Sequence, residues 1–196
     1  MRITKILVVS LSMLAIAAFS NAQDKGGKKQ GGGGPPPMLT VKVDAFADGA
    51  RVPEKFTCAA GQGSPSPAIS WSGGPGGAAS YAIIMHDPDP VIGNSINDVL
   101  HWAIFDIPAG SKGLPEGVKP GDQANGAKQI NNIAGQPGYL GPCPPPGHGD
   151  HHYTIEVYAL NAKLGLPGST SRADLLKAMD GKIVSKGVYI GIFGRK

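Results

Sequence analysis

Residues 141–160 have the sequence GPCPPPGHGDHHYTIEVYAL, in which a Gly/Pro-rich loop leads into a histidine cluster and then into an alternating segment. Prolines restrict φ and remove backbone donors, whereas glycines let the backbone approach a neighbouring group closely. The alternation of apolar and polar residues from Tyr153 to Leu160 is typical of a half-buried strand. The histidines and the tyrosine offer several hydrogen-bond donors within a few residues. This stretch therefore predicts a strand with a preorganised pocket for a small anion beside it.

Two further segments predict buried strands. Residues 81–85 (YAIIM) form a short apolar run that the sequence HDPDP, residues 86–90, interrupts. Residues 100–108 (LHWAIFDIP) resume strand character and end at a proline. Shorter strands are predicted at residues 39–45, 68–71 and 188–193. The thirty glycines and eighteen prolines agree with short strands joined by many turns.

One helix is predicted near the C-terminus. Ser171 to Asp174 (SRAD) resembles a capping box, and Gly181 can end the helix. Leu175, Leu176 and Met179 would supply its apolar stripe. Residues 182–186 fit either a helix or a strand. The predicted fold class is all-β, an antiparallel β-sandwich with one or two short peripheral helices.

The motifs HDPDP, LHWAIFDIP and GPCPPPGHGDHHY occur in this order, and residues 56–73 (FTCAAGQGSPSPAISWSG) precede them. Together they resemble the phosphatidylethanolamine-binding protein family, in its bacterial Raf-kinase-inhibitor-like branch. The resemblance covers residue 39 to the C-terminus and implies the same β-sandwich. It also implies a small surface pocket for phosphate-like anions, including lipid headgroups. Motif by motif, it places the ligand-binding residues at Asp87, His101, Gly141, Pro142, His151 and Tyr153.

The chemistry of these residues suits an oxyanion. Imidazole N–H groups, a phenol and a backbone N–H near Gly141 can surround it, while Asp87 would accept a hydrogen bond from a histidine and fix its tautomer. Without Arg or Lys, the affinity should be modest and should weaken as the histidines lose protons. Taken singly, Asp87 could instead cap a turn, and His101 and Tyr153 could be ordinary core residues.

Two positions depart from the family pattern. Pro90 follows Asp89 directly, so that Val91 takes the place of the proline expected beside the pocket. His152 replaces the arginine of the common His-Arg-Tyr triplet, which removes a fixed positive charge and adds a titratable group.

Other chemistries fit less well. His148, His151 and His152 invite comparison with a zinc site, but adjacent residues of a regular strand face opposite ways. We therefore expect no metal and no cofactor. The chain has no G-x-S-x-G or H-E-x-x-H motif, and we expect no enzymatic activity. Cys143 could act with a nearby histidine as a nucleophile, but an exported chain favours a disulfide with Cys58, the one other cysteine.

The N-terminus predicts export. Arg2 and Lys5 precede an apolar segment of signal-peptide length, so residues 1–22 are a predicted signal peptide. Residues 23–38, rich in Gly, Pro and Lys, are a predicted linker, and residues 39–196 form the domain. The formal charge of +4 lies in the first two segments, which leaves the domain neutral. A neutral domain argues against nucleic-acid binding.

These observations predict a periplasmic or secreted binding protein with no transmembrane segment after signal cleavage. Its partner would be a phosphate-like anion or a lipid headgroup. The alternative is a protein-interaction inhibitor of a protease or another extracytoplasmic partner. Replacement of His101 and His151 distinguishes these two functions: it should abolish anion binding but spare an inhibitory surface that lies elsewhere.

Overall fold

The computed structural model describes residues 37–61 and 63–196. The predicted signal peptide, and all but the last two residues of the predicted linker, lie outside the described residues. Within these ranges, no helix is both long and apolar enough to cross a membrane.

The described chain forms two antiparallel sheets and one α-helix, with two short 3₁₀ turns. The strands, in chain order, are β1 (Thr40–Val43), β2 (Ile69–Ser72), β3 (Ser80–Asp87), β4 (Val99–Pro108), β5 (Gly113–Leu114), β6 (Lys128–Gln129), β7 (His151–Leu160) and β8 (Ile183–Phe193). The helix α1 (Arg172–Met179) lies between β7 and β8, and the 3₁₀ turns are Glu54–Phe56 and Cys58–Ala60. The smaller sheet has the order β1-β2-β5 and the larger one β6-β4-β3-β7-β8.

The main core contains side chains of both sheets. Val41 of β1 and Trp71 of β2 belong to the same buried cluster as Ile83 of β3, Trp102 of β4 and Ile155 of β7. Side chains on one face of each strand alternate with those on the other, so each sheet contributes every second residue to this cluster. The predicted antiparallel β-sandwich is confirmed.

The other face of the larger sheet carries a second core under α1. Ile84 of β3 and Phe105 of β4 belong to it, together with Leu175 and Met179 of the helix. Ser171 caps α1 by accepting a hydrogen bond from the backbone N–H of Asp174. Burial on both faces explains why β3 and β4 are almost continuously apolar.

One local prediction differs from the structure, and one open alternative is decided by it. Leu176, expected in the apolar stripe of α1, is 43% exposed. Residues 182–186 fitted either a helix or a strand, and most of them continue into residues 188–193 as the single strand β8. The reason is the ladder with β7, which pairs Leu160 with Ile183 and His151 with Phe193.

Replacing Leu175 tests how α1 is held. Leu175 is fully buried, so Leu175→Ala should lower the free energy of unfolding by about 3 kcal/mol through lost burial and a residual cavity. Leu176→Ala, one residue further on the exposed side, should change it by less than about 0.5 kcal/mol. Urea unfolding followed by circular dichroism measures both. Equal effects would contradict this packing of the helix.

Candidate functional site: a histidine-lined cavity

The candidate site forms where the end of β3 meets the start of β7. The two strands are antiparallel neighbours, and His86 pairs with Thr154 at the last position of the ladder. Asp87 therefore lies beside the first residues of β7, among them His151 and Tyr153. Both of these side chains are buried, whereas His152 between them is exposed, as strand alternation requires.

A cavity of about 340 Å³, here called the histidine cavity, opens at this edge. Its polar wall consists of side chains from β3, β4, β7 and the loop before β7. Its remaining wall is aliphatic and proline-rich. The lining residues are Asp87, Pro90, Val91, Val99, His101, Ile133, Leu140, Cys143, Pro144, Pro145, His148, His151 and Tyr153.

A β-bulge places His101 in this wall. Met85 of β3 pairs with Trp102 of β4, and the next residue, His86, pairs with Leu100, so His101 is an extra residue without a partner. Leu100 faces the core under α1 and Trp102 the core between the sheets. In a regular strand the side chains of Leu100 and Trp102, two residues apart, would lie on the same face. The bulge at His101 therefore explains why they lie on opposite faces.

The segment before the Gly/Pro loop fixes the His101 ring. The backbone N–H of Leu140 donates to the carbonyl of His101, and the carbonyl of Leu140 lies 2.9 Å from His101 Nδ1. Because a carbonyl only accepts, Nδ1 carries the hydrogen. Burial lowers the pKa of His101, although the hydrogen bond to Leu140 acts in the opposite direction. The neutral ring therefore offers a lone pair at Nε2.

His151 is oriented by the carboxylate at the end of β3. Its Nδ1 lies 2.7 Å from Asp87 Oδ2, so Nδ1 donates, and Asp87 holds the tautomer as expected. The other oxygen of Asp87 accepts from the backbone N–H of Asp89. The capping role and the histidine-orienting role of Asp87 are thus both present. Nε2 of His151 lies 2.8 Å from Nδ1 of His148.

The hydroxyl of Tyr153 lies near the Asp87 carboxylate and the Cys143 backbone but forms no hydrogen bond of good geometry with either. The side chain lines the cavity and is almost fully buried, and its hydroxyl makes no hydrogen bond within the described residues. Burial, reinforced by the Asp87 carboxylate, raises the pKa of Tyr153, so the phenol keeps its proton. The ring stands edge-on to His101, with 5.0 Å between the ring centroids.

Gly141 and Pro142, which the resemblance placed among the ligand-binding residues, lie outside the lining of the histidine cavity. A Cβ on Gly141 would lie 2.5 Å from Ser64 Oγ and 2.6 Å from the carbonyl oxygen of Phe56. The carbonyl of Pro142 accepts a hydrogen bond from the N–H of Cys58. Both residues contact the segment around the 3₁₀ turns, where glycine permits the close backbone approach.

Cys58 and Cys143 form a disulfide, with 5.3 Å between their Cα atoms. The bridge attaches the Gly/Pro loop to the second 3₁₀ turn, and Cys143 itself lines the cavity. In this state Cys143 has no thiol to act as a nucleophile.

The three histidines considered for zinc do not converge on one point. His152 turns away from His151 and lies 3.1 Å, through Nδ1, from Asp89 Oδ2. Ligand-type atoms of Asp87, Asp89 and His151 do lie within 4.8 Å of one another. Asp87 is hydrogen-bonded to His151 and Asp89 to His152, so the proximity of these carboxylates is explained without a metal ion.

The rim of the cavity reflects the departure at Pro90. Both Pro90 and Val91 line the opening, together with Ile133. Val91 and Ile133 are largely exposed. The rim of the cavity is therefore aliphatic at this position.

The opposite face of β3 carries a separate charged cluster. His86 Nδ1 lies 2.5 Å from Asp98 and Nε2 3.5 Å from Glu156, and Arg172 of α1 also pairs with Asp98. The hydrogen bond to Glu156 raises the pKa of His86, and the charge of Asp98 adds to this against the effect of burial.

Comparison with known proteins identifies the fold and its family. The family model described as phosphatidylethanolamine-binding protein matches residues 42–194 of the sequence. The chain belongs to the phosphatidylethanolamine-binding protein family.

Individual relatives agree with this assignment. A protein of Aquifex aeolicus named UPF0098 is 40% identical over 152 residues, covering 77% of this chain and 85% of its own. A Mycobacterium tuberculosis relative whose name contains "lipoprotein LppC" is 34% identical over 155 residues, with 79% and 72% coverage. The crystal structure of the Chlamydia trachomatis homologue CT736 superposes with a TM-score of 0.71 at 31% identity, covering 81% of this chain and 99% of that one.

Four of the six predicted ligand-binding residues, Asp87, His101, His151 and Tyr153, line the cavity, and several other lining residues were not predicted. Leu140 acts through its backbone, so no side-chain signal marks it. His148 belonged to the histidine cluster predicted to offer donors to an anion but was not among the named ligand-binding residues, although its position three residues before His151 in a tight loop is a signal for contact. Pro144 and Pro145 also line the wall.

Removal of the disulfide should destabilise the fold. The bridge joins residues 85 positions apart, and it restricts the unfolded chain accordingly. The double variant Cys58→Ser/Cys143→Ser should lose about 3 kcal/mol of unfolding free energy. A reductant should destabilise the wild type to a similar extent and leave the double variant unchanged. A wild type whose thiols are free but whose urea midpoint is unmoved would contradict the prediction.

Two histidines on neighbouring strands should titrate on opposite sides of the ordinary value. His86 should lose its proton above about pH 6.5 and His101 below it, because the pKa of the first is raised and that of the second lowered. An NMR titration of the imidazole Cε1–H resonances, assigned with His86→Asn and His101→Asn variants, measures both. The reverse order would contradict the local environments described above.

Proposed function

We propose that this protein binds a small tetrahedral oxyanion, such as phosphate or the phosphate of a larger molecule, in the histidine cavity. The observation that carries the proposal is the buried hydroxyl of Tyr153, which makes no hydrogen bond of good geometry within the described residues. A buried donor without a partner costs about 1–3 kcal/mol, which a bound acceptor atom would recover. Membership of the family supports the same ligand class.

The donors and acceptors of the cavity suit an oxyanion that carries a proton. Tyr153 can donate to a charged oxygen, and the lone pair on Nε2 of neutral His101 can accept from a P–OH group. Fully ionised phosphate would instead need a proton on His101. Among the described residues, no Lys or Arg lines the wall, so binding should be of moderate strength and should favour lower pH.

We propose binding rather than turnover, and a location outside the cytoplasm. The disulfide supports an oxidising compartment such as the periplasm or the extracellular space. The relative whose name includes "lipoprotein" also points to export. The predicted signal peptide at residues 1–22 would direct it.

A second candidate, contact with a protein partner, has one observation in its favour. The loop between β3 and β4 exposes the aliphatic side chains of Val91, Ile92 and Ile96 beside the cavity. Exposed apolar groups of this kind are common at interaction sites. A partner held by this loop alone would be unaffected by changes in the pocket histidines.

An NMR titration with inorganic phosphate and with phosphoethanolamine tests the proposal. Saturable shifts should occur at His101 and Tyr153, and Tyr153→Phe should weaken binding about tenfold because one hydrogen bond to a charged group is lost. The matched control is Tyr158→Phe, whose hydroxyl bonds to Glu156 outside the cavity; it should change affinity less than about twofold.

Each outcome of that titration has a clear meaning. A response to phosphoethanolamine but not to phosphate would assign the site to headgroups. No saturable shift at millimolar concentrations of either ligand would contradict anion binding and leave the protein-partner candidate.

A further inference from the structure

His148 and His151 share a hydrogen bond at the mouth of the histidine cavity. Their Nδ1 and Nε2 atoms are 2.8 Å apart, so one nitrogen carries a hydrogen and the other a lone pair. The second nitrogen of His151 already donates to Asp87. The carboxylate and the two rings thus form one chain of hydrogen bonds that leads from the buried end of β3 to the exposed loop.

This contact blocks the part of His151 that an anion would use. His151 is buried, and Nε2 is its one ring nitrogen not engaged with Asp87. In the structure that nitrogen faces His148 rather than the empty volume of the cavity. His148 lies in an exposed loop position, and its backbone N–H donates to the carbonyl of Pro145. Its side chain can turn outward without disturbing a strand.

The contact also depends on protonation. When both rings are protonated, Nδ1 of His148 and Nε2 of His151 each carry a hydrogen, and no lone pair remains between them. The two positive charges then repel each other. Outward rotation of His148 would free an N–H on His151 and bring a second N–H on His148 to the same opening.

We propose that His148 is a proton-dependent gate of the histidine cavity. While one hydrogen is shared between the two rings, His148 occupies Nε2 of His151; when both rings are protonated, His148 swings out and both rings donate to the incoming oxyanion. The inference rests on the proposed anion-binding function and names its regulation. A neutral pair takes up two protons to reach this state, because a pair with one added proton still shares an N–H···N hydrogen bond. Anion binding is therefore linked to protonation of both rings, in addition to any proton taken up by His101.

The other charged and titratable groups around the pair already have partners or lie deeper in the cavity. Asp89 binds His152, Asp150 binds Arg51, and Arg195 donates to the carbonyl of Pro144. Asp87, His101 and Tyr153 line the cavity together with the pair, and Asp89 lies within 4.8 Å of His151, whereas His152 points away from it. The hydrogen bond between His148 and His151 is lost once both rings are protonated.

The test compares phosphate affinity at about pH 7.5 and about pH 5.5 in three proteins. These are the wild type, His148→Gln and the matched control His152→Gln, a neighbouring exposed histidine. Because phosphate and His101 titrate in all three, only the difference between them reports on the gate. The wild type and the control should gain about tenfold more affinity on acidification than His148→Gln does. An equal gain in all three would overturn the proposal.

A measurement without ligand separates this inference from the proposed function. The ¹⁵N shift of His151 Nε2 should show a hydrogen-bond acceptor at the higher pH, and it should change in His148→Gln but not in His152→Gln. An unchanged His151 Nε2 shift in His148→Gln would overturn the gate. If phosphate binds none of the proteins but the shift does change, the His148–His151 contact stands and oxyanion binding by this cavity, with the regulation built on it, fails.

Discussion

The antiparallel pairing of β3 with β7 is the constraint on which the rest of the structure depends. These strands are central in the larger sheet, and their register sets Ser80 against Leu160 and His86 against Thr154. A shift by one residue would turn His151 and Tyr153 to the opposite face and expose Ile155 and Val157. The burial of the core and the position of the histidine cavity therefore have the same cause: the apolar residues that hold the register also bring Asp87 next to His151.

The chemistry of the cavity depends on which side-chain atoms in its wall are already hydrogen-bonded to the protein and which can still bond to a ligand. Leu140 occupies one nitrogen of His101, and Asp87 occupies one nitrogen of His151. Each ring is thereby fixed in position, and its Nε2 is left as the one nitrogen that accepts a hydrogen bond when it is unprotonated and donates one when it is protonated. A site built in this way differs from an arginine-lined phosphate site, whose charge is constant. Its selectivity depends on the protonation of the ligand as well as on its shape.

Much of this arrangement could be predicted from the sequence. The alternation in β7 indicated correctly that His152 faces away from His151, and the ordered motifs indicated the sandwich and four residues of the cavity wall. The bulge at His101 could not be predicted, because β4 is buried on both faces and shows no alternation whose phase could be seen to shift. The same holds for Asp106, which adopts φ 55° at a second irregularity of β4 and accepts hydrogen bonds from Leu164 and Gly165.

The remaining misses concern groups that sequence patterns do not describe. Leu140 fixes the His101 ring through its backbone N–H and carbonyl, and these groups give no signal in the sequence because nearly every residue has them. The contact of His148 with His151 depends on the path of a loop, and loop paths are set by the groups they pack against. The missing Cβ of Gly141 makes room for Phe56 and Ser64, a close approach that the sequence pattern does not reveal, and a contact of Gly141 with a ligand stays a prediction.

The disulfide has a consequence for a protein exposed to proteases. Cys58 and Cys143 enclose β2 to β6 and the exposed loop between β3 and β4, where Val91 and Ile96 are accessible. Loop tips of this kind are preferred sites of cleavage. A single cut anywhere between the two cysteines would leave both fragments covalently joined, with the β3–β7 pairing still in place. Such a nicked molecule would keep its mass on a non-reducing gel and separate into two pieces only after reduction.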